Sequence, residues 1–137
     1  MSREKDGFKK QYVQRWLTKA NHDLIIARHE RETNSDEIMT DGICFHCQQS
    51  VEKDLKAFLV MHDVEFERIH NLEYLAKLCE NIDTEFSTLS FGNLTNYGVA
   101  VRYPDDFFMP SLEEADECLR IAERVKQFIG KRLDIQL

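Results

Sequence analysis

The sequence predicts an all-α fold, an antiparallel bundle of four to five helices similar to an up-and-down bundle. Apolar residues recur every three or four positions over most of the chain, and helix-capping residues stand before several of these stretches. The connections between them are short, which favours a bundle. A chain of 137 residues fits one domain with one core. We therefore expect a flexible N-terminus over residues 1–9 and a single helical domain over residues 10–137.

The composition limits the classes of function. The formal net charge is −7, from 25 acidic and 18 basic residues, which argues against a protein that holds nucleic acid mainly by neutralising phosphates. Nothing resembles a signal peptide, and no apolar run approaches the roughly 18 residues of a membrane-spanning helix. We expect a cytoplasmic protein with no membrane partner. The four cysteines, at positions 44, 47, 79 and 118, are interpreted as reduced thiols.

The first helix is predicted from about Gln11 to Arg31. Its apolar stripe consists of Tyr12, Val13, Trp16, Leu17, Ala20, Leu24 and Ala27. The segment from Glu32 to Asp41 is polar and turn-forming, so it ends this helix. The candidate N-caps of the next helix are Ser35, Asp36, Thr40 and Asp41.

The central helix, from Ile43 to Val60, has the clearest pattern in the chain. Its apolar stripe consists of Cys44, Cys47, Val51, Leu55, Phe58 and Leu59, at steps of three and four. A polar line on the other side consists of His46, Gln49, Lys53 and Lys56. Because His and Gln form hydrogen bonds of more specific geometry than the Glu and Lys of an ordinary solvated face, this is the most informative surface of the chain.

A third helix is predicted after a loop at residues 61–69. It opens at His70 or Asn71, and its narrow apolar stripe consists of Leu72, Leu75, Ala76, Leu78 and Cys79. Residues 85–103 are predicted to form a fourth helix, although residues 99–103 alone could form a short strand. Pro104 cannot continue a helix and ends it.

The last helix is predicted to follow Ser111. Ser111 and Glu114, three residues apart, form a capping-box signature. The apolar face of this helix consists of Leu112, Ala115, Leu119, Ala122, Val125, Ile129 and Leu133. Five helices with short connections complete the predicted bundle.

Four segments resemble the motifs of one known family. The most specific is F-H-x-Q-Q-x-x-E-K within the central helix, at residues 45–53. The first helix matches W-x-x-x-A-x-x-D-L-x-x-A with Trp16, Ala20, Asp23, Leu24 and Ala27. His70, Leu72 and Leu75 match H-x-L-x-x-L, and residues 102–104 match R-Y-P at the end of a fourth helix. From about Trp16 to the last helix, the chain thus resembles the HEPN family (higher eukaryotes and prokaryotes nucleotide-binding domain).

This resemblance implies a helical bundle that commonly forms a homodimer. Many members pair with a minimal nucleotidyltransferase as toxin and antitoxin, so such a protein is an expected partner. The family name implies a nucleotide ligand, and an Arg fork, a Lys charge and a Tyr ring suit phosphate and base contacts. The nucleotide-binding candidates are His46, Gln49, Lys53, Arg102 and Tyr103.

Some members of the family are ribonucleases, in which an Arg is followed four to six residues later by a His. Arg102 matches the Arg, but Asp106, Phe107 and Phe108 occupy the positions where the His is expected. Without it no evident group near Arg102 exchanges a proton at neutral pH, so a non-enzymatic role is favoured and Arg102 is the remaining catalytic candidate. The alternatives are a ribonuclease toxin with a degenerate motif, acting on RNA, and a non-catalytic dimeric interaction module.

Structural roles stay open for the polar residues of the central helix. His46 could bond a neighbouring helix or the dimer partner, and Gln48 and Gln49 could form inter-helix hydrogen bonds. Glu52 and Lys53 could pair with other side chains on the bundle surface. Arg102 is predicted at the C-terminus of a helix, where the helix dipole favours a positive charge even if no ligand binds.

No metal or further cofactor is expected. Cys44 and Cys47 lie on the apolar stripe of a helix, and no second C-x-x-C completes a set of four ligands. Self-association is expected for a separate reason, because large apolar side chains occur on several elements and one small core hides only part of them. These side chains are Phe45, Phe58, Phe66, Phe86, Phe91, Phe107 and Phe108.

Overall fold

A computed structural model of the chain describes residues 3–98 and 109–134. The four α-helices are α1 (Arg3–Arg31), α2 (Thr40–Met61), α3 (Leu72–Glu80) and α4 (Leu112–Leu133). Two short 3-10 helices, Thr84–Thr88 and Leu94–Tyr97, lie between α3 and α4. These ranges contain no strand, so the all-α class is confirmed. Among the same residues, no helix has the length and apolar character needed to cross a membrane.

Helix α2 lies at the centre of the molecule and packs against α1, α3 and α4. The six residues of its predicted apolar stripe are all buried, so this prediction is confirmed. Burial extends beyond the stripe to polar side chains, namely Gln48, Ser50, Glu52, Asp54 and Lys56. Because neighbours surround the helix, these groups need partners inside the protein.

Helix α1 begins at Arg3, well before the predicted start near Gln11. Most side chains from Lys5 to Tyr12 are exposed, so no buried stripe marks this part of the helix in the sequence. The predicted flexibility of residues 1–9 stays a prediction. Further along, the predicted stripe is buried except at Tyr12, which is exposed, and Trp16, which is partly buried.

Capping residues start α3 and α4 as predicted. The Asn71 side chain accepts a hydrogen bond from the Tyr74 backbone N–H at 2.8 Å, and Ser111 Oγ accepts one from the Glu114 backbone N–H at 3.1 Å. The N-cap of α2 is instead Met39, whose side chain makes no capping bond. The predicted N-caps Ser35, Asp36, Thr40 and Asp41 are therefore wrong. Tertiary packing on three sides stabilises α2 and makes a local cap dispensable.

The predicted fourth helix is wrong over residues 85–98. This segment forms the two 3-10 helices and an intervening turn, in which Gly92 adopts a φ of 52° that suits glycine. Its helix-like apolar spacing reflects burial of an irregular segment, because Phe86, Phe91, Leu94 and Tyr97 pack into the core. The rest of the predicted helix and the alternative strand at residues 99–103 lie outside the described residues.

Helix α4 closes the bundle against α2 and α1. Its predicted apolar face is buried except at Leu112, which is exposed, and Leu119, which is partly buried. Cys118 and Ile121 complete the buried face and were not in the predicted set. Leu112, in the first turn of the helix, is 45% exposed.

Candidate functional site

A group of polar side chains on and around α2 forms the candidate site. We call it the α2 polar cluster, and it consists of Asp23, His46, Gln48, Gln49, Glu52, Lys53, Lys56 and His70. Two buried carboxylates, one from α1 and one from α2, organise it. Each carboxylate receives hydrogen bonds from a lysine and a histidine.

The first carboxylate is Asp23 of α1. Its Oδ1 lies 2.8 Å from His46 Nδ1, and its Oδ2 accepts a hydrogen bond from Lys53 Nζ. An ionised carboxylate can only accept, so His46 donates through Nδ1. The prediction that His46 could bond a neighbouring helix is confirmed. Two of the five predicted nucleotide-binding residues, His46 and Lys53, therefore have a partner within the bundle.

The second carboxylate is Glu52, which receives three donors. Its Oε2 accepts from Lys56 Nζ at 3.0 Å, and its Oε1 accepts from His70 Nδ1 at 2.9 Å and from Gln48 Nε2 at 3.2 Å. The Glu52 side chain is only 4% exposed. The prediction that Glu52 pairs on the bundle surface is therefore wrong, because the packing of α2 buries this position.

Aromatic rings screen the Lys56–Glu52 pair from water. Lys56 Nζ lies 5.6 Å from the centroid of the Trp16 ring and 5.5 Å from that of Phe66. The face of an aromatic ring attracts a cation, and the rings also exclude solvent. The predicted polar line thus includes a lysine that is buried rather than solvated.

Gln48 connects the cluster to the segments before α3 and after the second 3-10 helix. Gln49 Nε2 donates to Gln48 Oε1 at 2.7 Å, and Gln48 Nε2 donates to the backbone oxygen of His70 at 3.3 Å. A side chain at Gly98 would place its Cβ 2.9 Å from Gln48 Nε2 and 3.1 Å from His70 Cβ. A larger residue at this position would force the Gln48 amide or the His70 side chain to shift. The chain therefore passes directly against the cluster at Gly98.

His70 is the most open member of the cluster. Its side chain is 57% exposed, compared with 29% for His46. Because the Glu52 carboxylate accepts the bond from His70 Nδ1, the proton of the neutral ring lies on Nδ1 and the lone pair lies on Nε2. A carboxylate-held imidazole with a free nitrogen can act as a base or as a nucleophile.

The structure brings together three of the five predicted nucleotide-binding residues. His46, Gln49 and Lys53 belong to the cluster, whereas Arg102 and Tyr103 lie outside the described residues. The site prediction omitted Asp23, Gln48, Glu52, Lys56 and His70. The spacing of Gln48, Glu52 and Lys56, four residues apart on one helix, is the sequence signal that could have found part of this set.

The four cysteines are buried free thiols. Cys44 Sγ and Cys118 Sγ lie 3.3 Å apart between α2 and α4, and this contact together with burial raises the pKa of Cys44. Burial also raises the pKa of Cys47, and it raises that of Cys79 to about 12. Within residues 3–98 and 109–134, no three His, Cys, Asp or Glu side chains are arranged to hold a metal ion.

We expect these thiols to resist alkylation in the folded protein. Burial keeps Cys47 and Cys79 in the unreactive protonated form and blocks access of the reagent. Intact-mass analysis after iodoacetamide treatment near neutral pH should show unmodified protein in buffer and modification of every cysteine in guanidinium chloride. Equal labelling rates in the two solutions would contradict the burial of the thiols.

Comparison with known proteins gives two matches along most of the chain. The chain matches the family model described as "HEPN domain" over residues 13–133, which includes the α2 polar cluster. A protein of Methanocaldococcus jannaschii named "Putative toxin MJ1304" is 29% identical over 142 residues, covering 92% of this chain and 91% of that protein. No solved structure shows significant similarity to this chain.

Proposed function

Because this chain belongs to the HEPN domain family, we propose that it is a toxin-like protein that binds a nucleotide and accepts a nucleotidyl group from a minimal nucleotidyltransferase partner. The observation that carries the proposal is the family match over residues 13–133. The archaeal relative supports the toxin-like role, because its name is that of a toxin and the similarity extends over nearly all of both chains. A role as acceptor also agrees with the absence of the ribonuclease His after Arg102.

The electrostatics of the α2 polar cluster favour a protein that accepts a nucleotidyl group over one that catalyses its transfer. Lys53 and Lys56 are each paired with a buried carboxylate, so neither offers a free positive charge to a triphosphate. Transfer of a nucleotidyl group commonly uses Mg²⁺, held by carboxylates and phosphates, to offset phosphate charge. In this proposal the partner enzyme supplies that machinery and this chain supplies the acceptor.

Reconstitution tests the partnership. The chain is mixed with a minimal nucleotidyltransferase encoded beside it, with ATP and Mg²⁺. We expect a stable complex by size-exclusion chromatography and an increase in the intact mass of this chain by one nucleoside monophosphate. In cells, expression of the chain alone should slow growth, and co-expression of the partner should restore it. Absence of both the complex and the mass change would contradict the proposal.

Nucleotide binding by the chain itself is tested by thermal unfolding with millimolar ATP or GTP. A ligand at about 100 times its dissociation constant stabilises the native state by about 2.7 kcal/mol. We expect a rise in Tm that disappears in Arg102→Ala. The control is Arg120→Ala, because Arg120 is exposed and its ion pair with Glu117 lies at the surface. No shift would favour an interaction module, and RNA cleavage that is lost in Arg102→Ala would favour the ribonuclease.

The homodimer stays a prediction, but the apolar side chains that could form its interface differ from those named from the sequence. Phe58, Phe86 and Phe91 are buried in the core of one chain, so they do not supply the uncovered surface that the sequence argument assumed. Among the described residues, the large apolar side chains that are exposed are Phe8, Tyr12, Ile26, Met39, Ile69, Ile82, Met109 and Leu112. Light scattering at micromolar concentration measures the state in solution, and a monomer would contradict the prediction.

A further inference from the structure

We propose that His70 is the nucleotidyl acceptor of this chain, through its Nε2 atom. The inference rests on the proposed function, and it identifies the atom that the partner enzyme modifies. The ligand class is the nucleoside monophosphate portion of a nucleoside triphosphate. The histidines of the chain are the candidate acceptors, because a neutral imidazole is a nucleophile near pH 7 and needs no prior deprotonation.

Within residues 3–98 and 109–134, two of the five histidines have a carboxylate partner, and one of these two is largely exposed. His46 is held by Asp23 and its side chain is 29% exposed, whereas His70 is held by Glu52 and its side chain is 57% exposed. A nucleotidyl acceptor must reach a phosphorus atom bound to another protein, so exposure separates the two. His70 combines a fixed ring with access from outside.

Hydrogen bonds from two other side chains orient the Glu52 carboxylate. Lys56 Nζ donates to Oε2 and Gln48 Nε2 donates to Oε1, so the carboxylate that orients His70 is itself oriented from two directions. Gln48 Nε2 also contacts the backbone oxygen of His70, which fixes the main chain of the same residue. An imidazole ordered in this way places its free nitrogen without further loss of conformational entropy.

The transfer is a simple displacement. The lone pair of His70 Nε2 attacks the α-phosphorus of the triphosphate, and the bond from that phosphorus to the oxygen bridging to the β-phosphorus breaks. Pyrophosphate leaves with the electron pair, and a phosphoramidate bond joins Nε2 to the nucleoside monophosphate. The ring gains a positive charge, and the Glu52 carboxylate that accepts from Nδ1 stabilises it.

The experiment uses the full chain, its nucleotidyltransferase, Mg²⁺ and ATP labelled at the α-phosphate. His70→Asn keeps an amide N–H in the place of Nδ1 for Glu52 and removes the nucleophilic nitrogen. His62→Asn is the matched control, because His62 is exposed, contacts the Phe58 ring and has no carboxylate partner among the described residues. We expect at least a tenfold loss of label in His70→Asn and wild-type labelling in His62→Asn.

The chemistry of the bond gives a second readout on the wild-type chain, which separates a histidine acceptor from a hydroxyl acceptor even if His70→Asn does not fold. A phosphoramidate is released by mild acid, whereas a phosphodiester on a tyrosine or serine hydroxyl survives it. Acid-stable label, or full labelling of His70→Asn, would overturn the assignment of His70 and leave the proposed function intact. No label on the wild-type chain would overturn both.

Discussion

Replacing Glu52 with alanine is expected to lower the free energy of unfolding by about 3–5 kcal/mol, the cost typical of breaking a buried ion pair. The change leaves the Lys56 ammonium without its counter-ion at a site where its side chain is 9% exposed. It also removes the acceptor of His70 Nδ1 and one of the two acceptors of Gln48 Nε2. Since small domains are stable by only about 5–15 kcal/mol, a large fraction of the variant should be unfolded on modest heating.

Two variants separate this effect from a general loss of side-chain contacts. Glu117→Ala removes a glutamate from an exposed pair with Arg120, whose side chains are 54% and 61% exposed, and should change stability by less than about 1 kcal/mol. Glu52→Met combined with Lys56→Met removes both buried charges and should recover most of the loss, because no unpaired charge remains. Urea unfolding measures all three, and equal effects of Glu52→Ala and Glu117→Ala would contradict the buried network.

The fold could be predicted because local spacing and burial agree in most of the helices. In α2 the positions from Cys44 to Leu59 that repeat at helical spacing are the positions that the bundle covers. The agreement fails at residues 85–98. There Phe86, Leu94 and Tyr97 are buried, although they lie in 3-10 helices and not in an α-helix. Apolar spacing reports burial, and only hydrogen bonding along the backbone decides whether a buried segment is helical.

The candidate site was predictable on one helix and not across the fold. The spacing of His46, Gln49 and Lys53 predicts one polar face on α2. In the structure, His46 and Lys53 bond to Asp23 of α1, and Gln49 bonds to Gln48. The bond between Glu52 and His70 joins residues 18 positions apart. No periodic pattern encodes that distance, because it depends on how the loop after α2 returns over the helix.

Replacing Asp54 with asparagine is expected to stabilise the protein at neutral pH by about 2–4 kcal/mol, an order-of-magnitude value from the linkage between pKa and stability. Asp54 is only 2% exposed, and burial raises the pKa of its carboxyl from 3.8 to about 8. The attraction of Lys126 lowers this pKa only in part, and Lys126 Nζ donates its hydrogen bond to Asn21 Oδ1 at 2.9 Å. Asparagine has nearly the same shape and carries no charge to bury.

The sign of the pH dependence follows from the protons bound in each state. Below pH 3.8 Asp54 is protonated in both states and contributes no difference. Between pH 3.8 and about 8 the unfolded chain releases this proton and the folded chain keeps it, so the Asp54 contribution to stability falls as pH rises. The decrease is about 1.4 kcal/mol per pH unit, and it ends once the folded state also ionises.

The measurement is therefore a comparison of Asp54→Asn with the wild type at several pH values. The advantage of the variant in urea unfolding should be small near pH 4, grow through pH 6, and level off near pH 8, where the carboxyl of the folded wild type titrates. Asp36→Asn is the control, because Asp36 is exposed in the loop before α2 and should give no such trend. An advantage of Asp54→Asn that is the same at every pH would mean that Asp54 ionises normally in the folded state, and burial would not then control its charge.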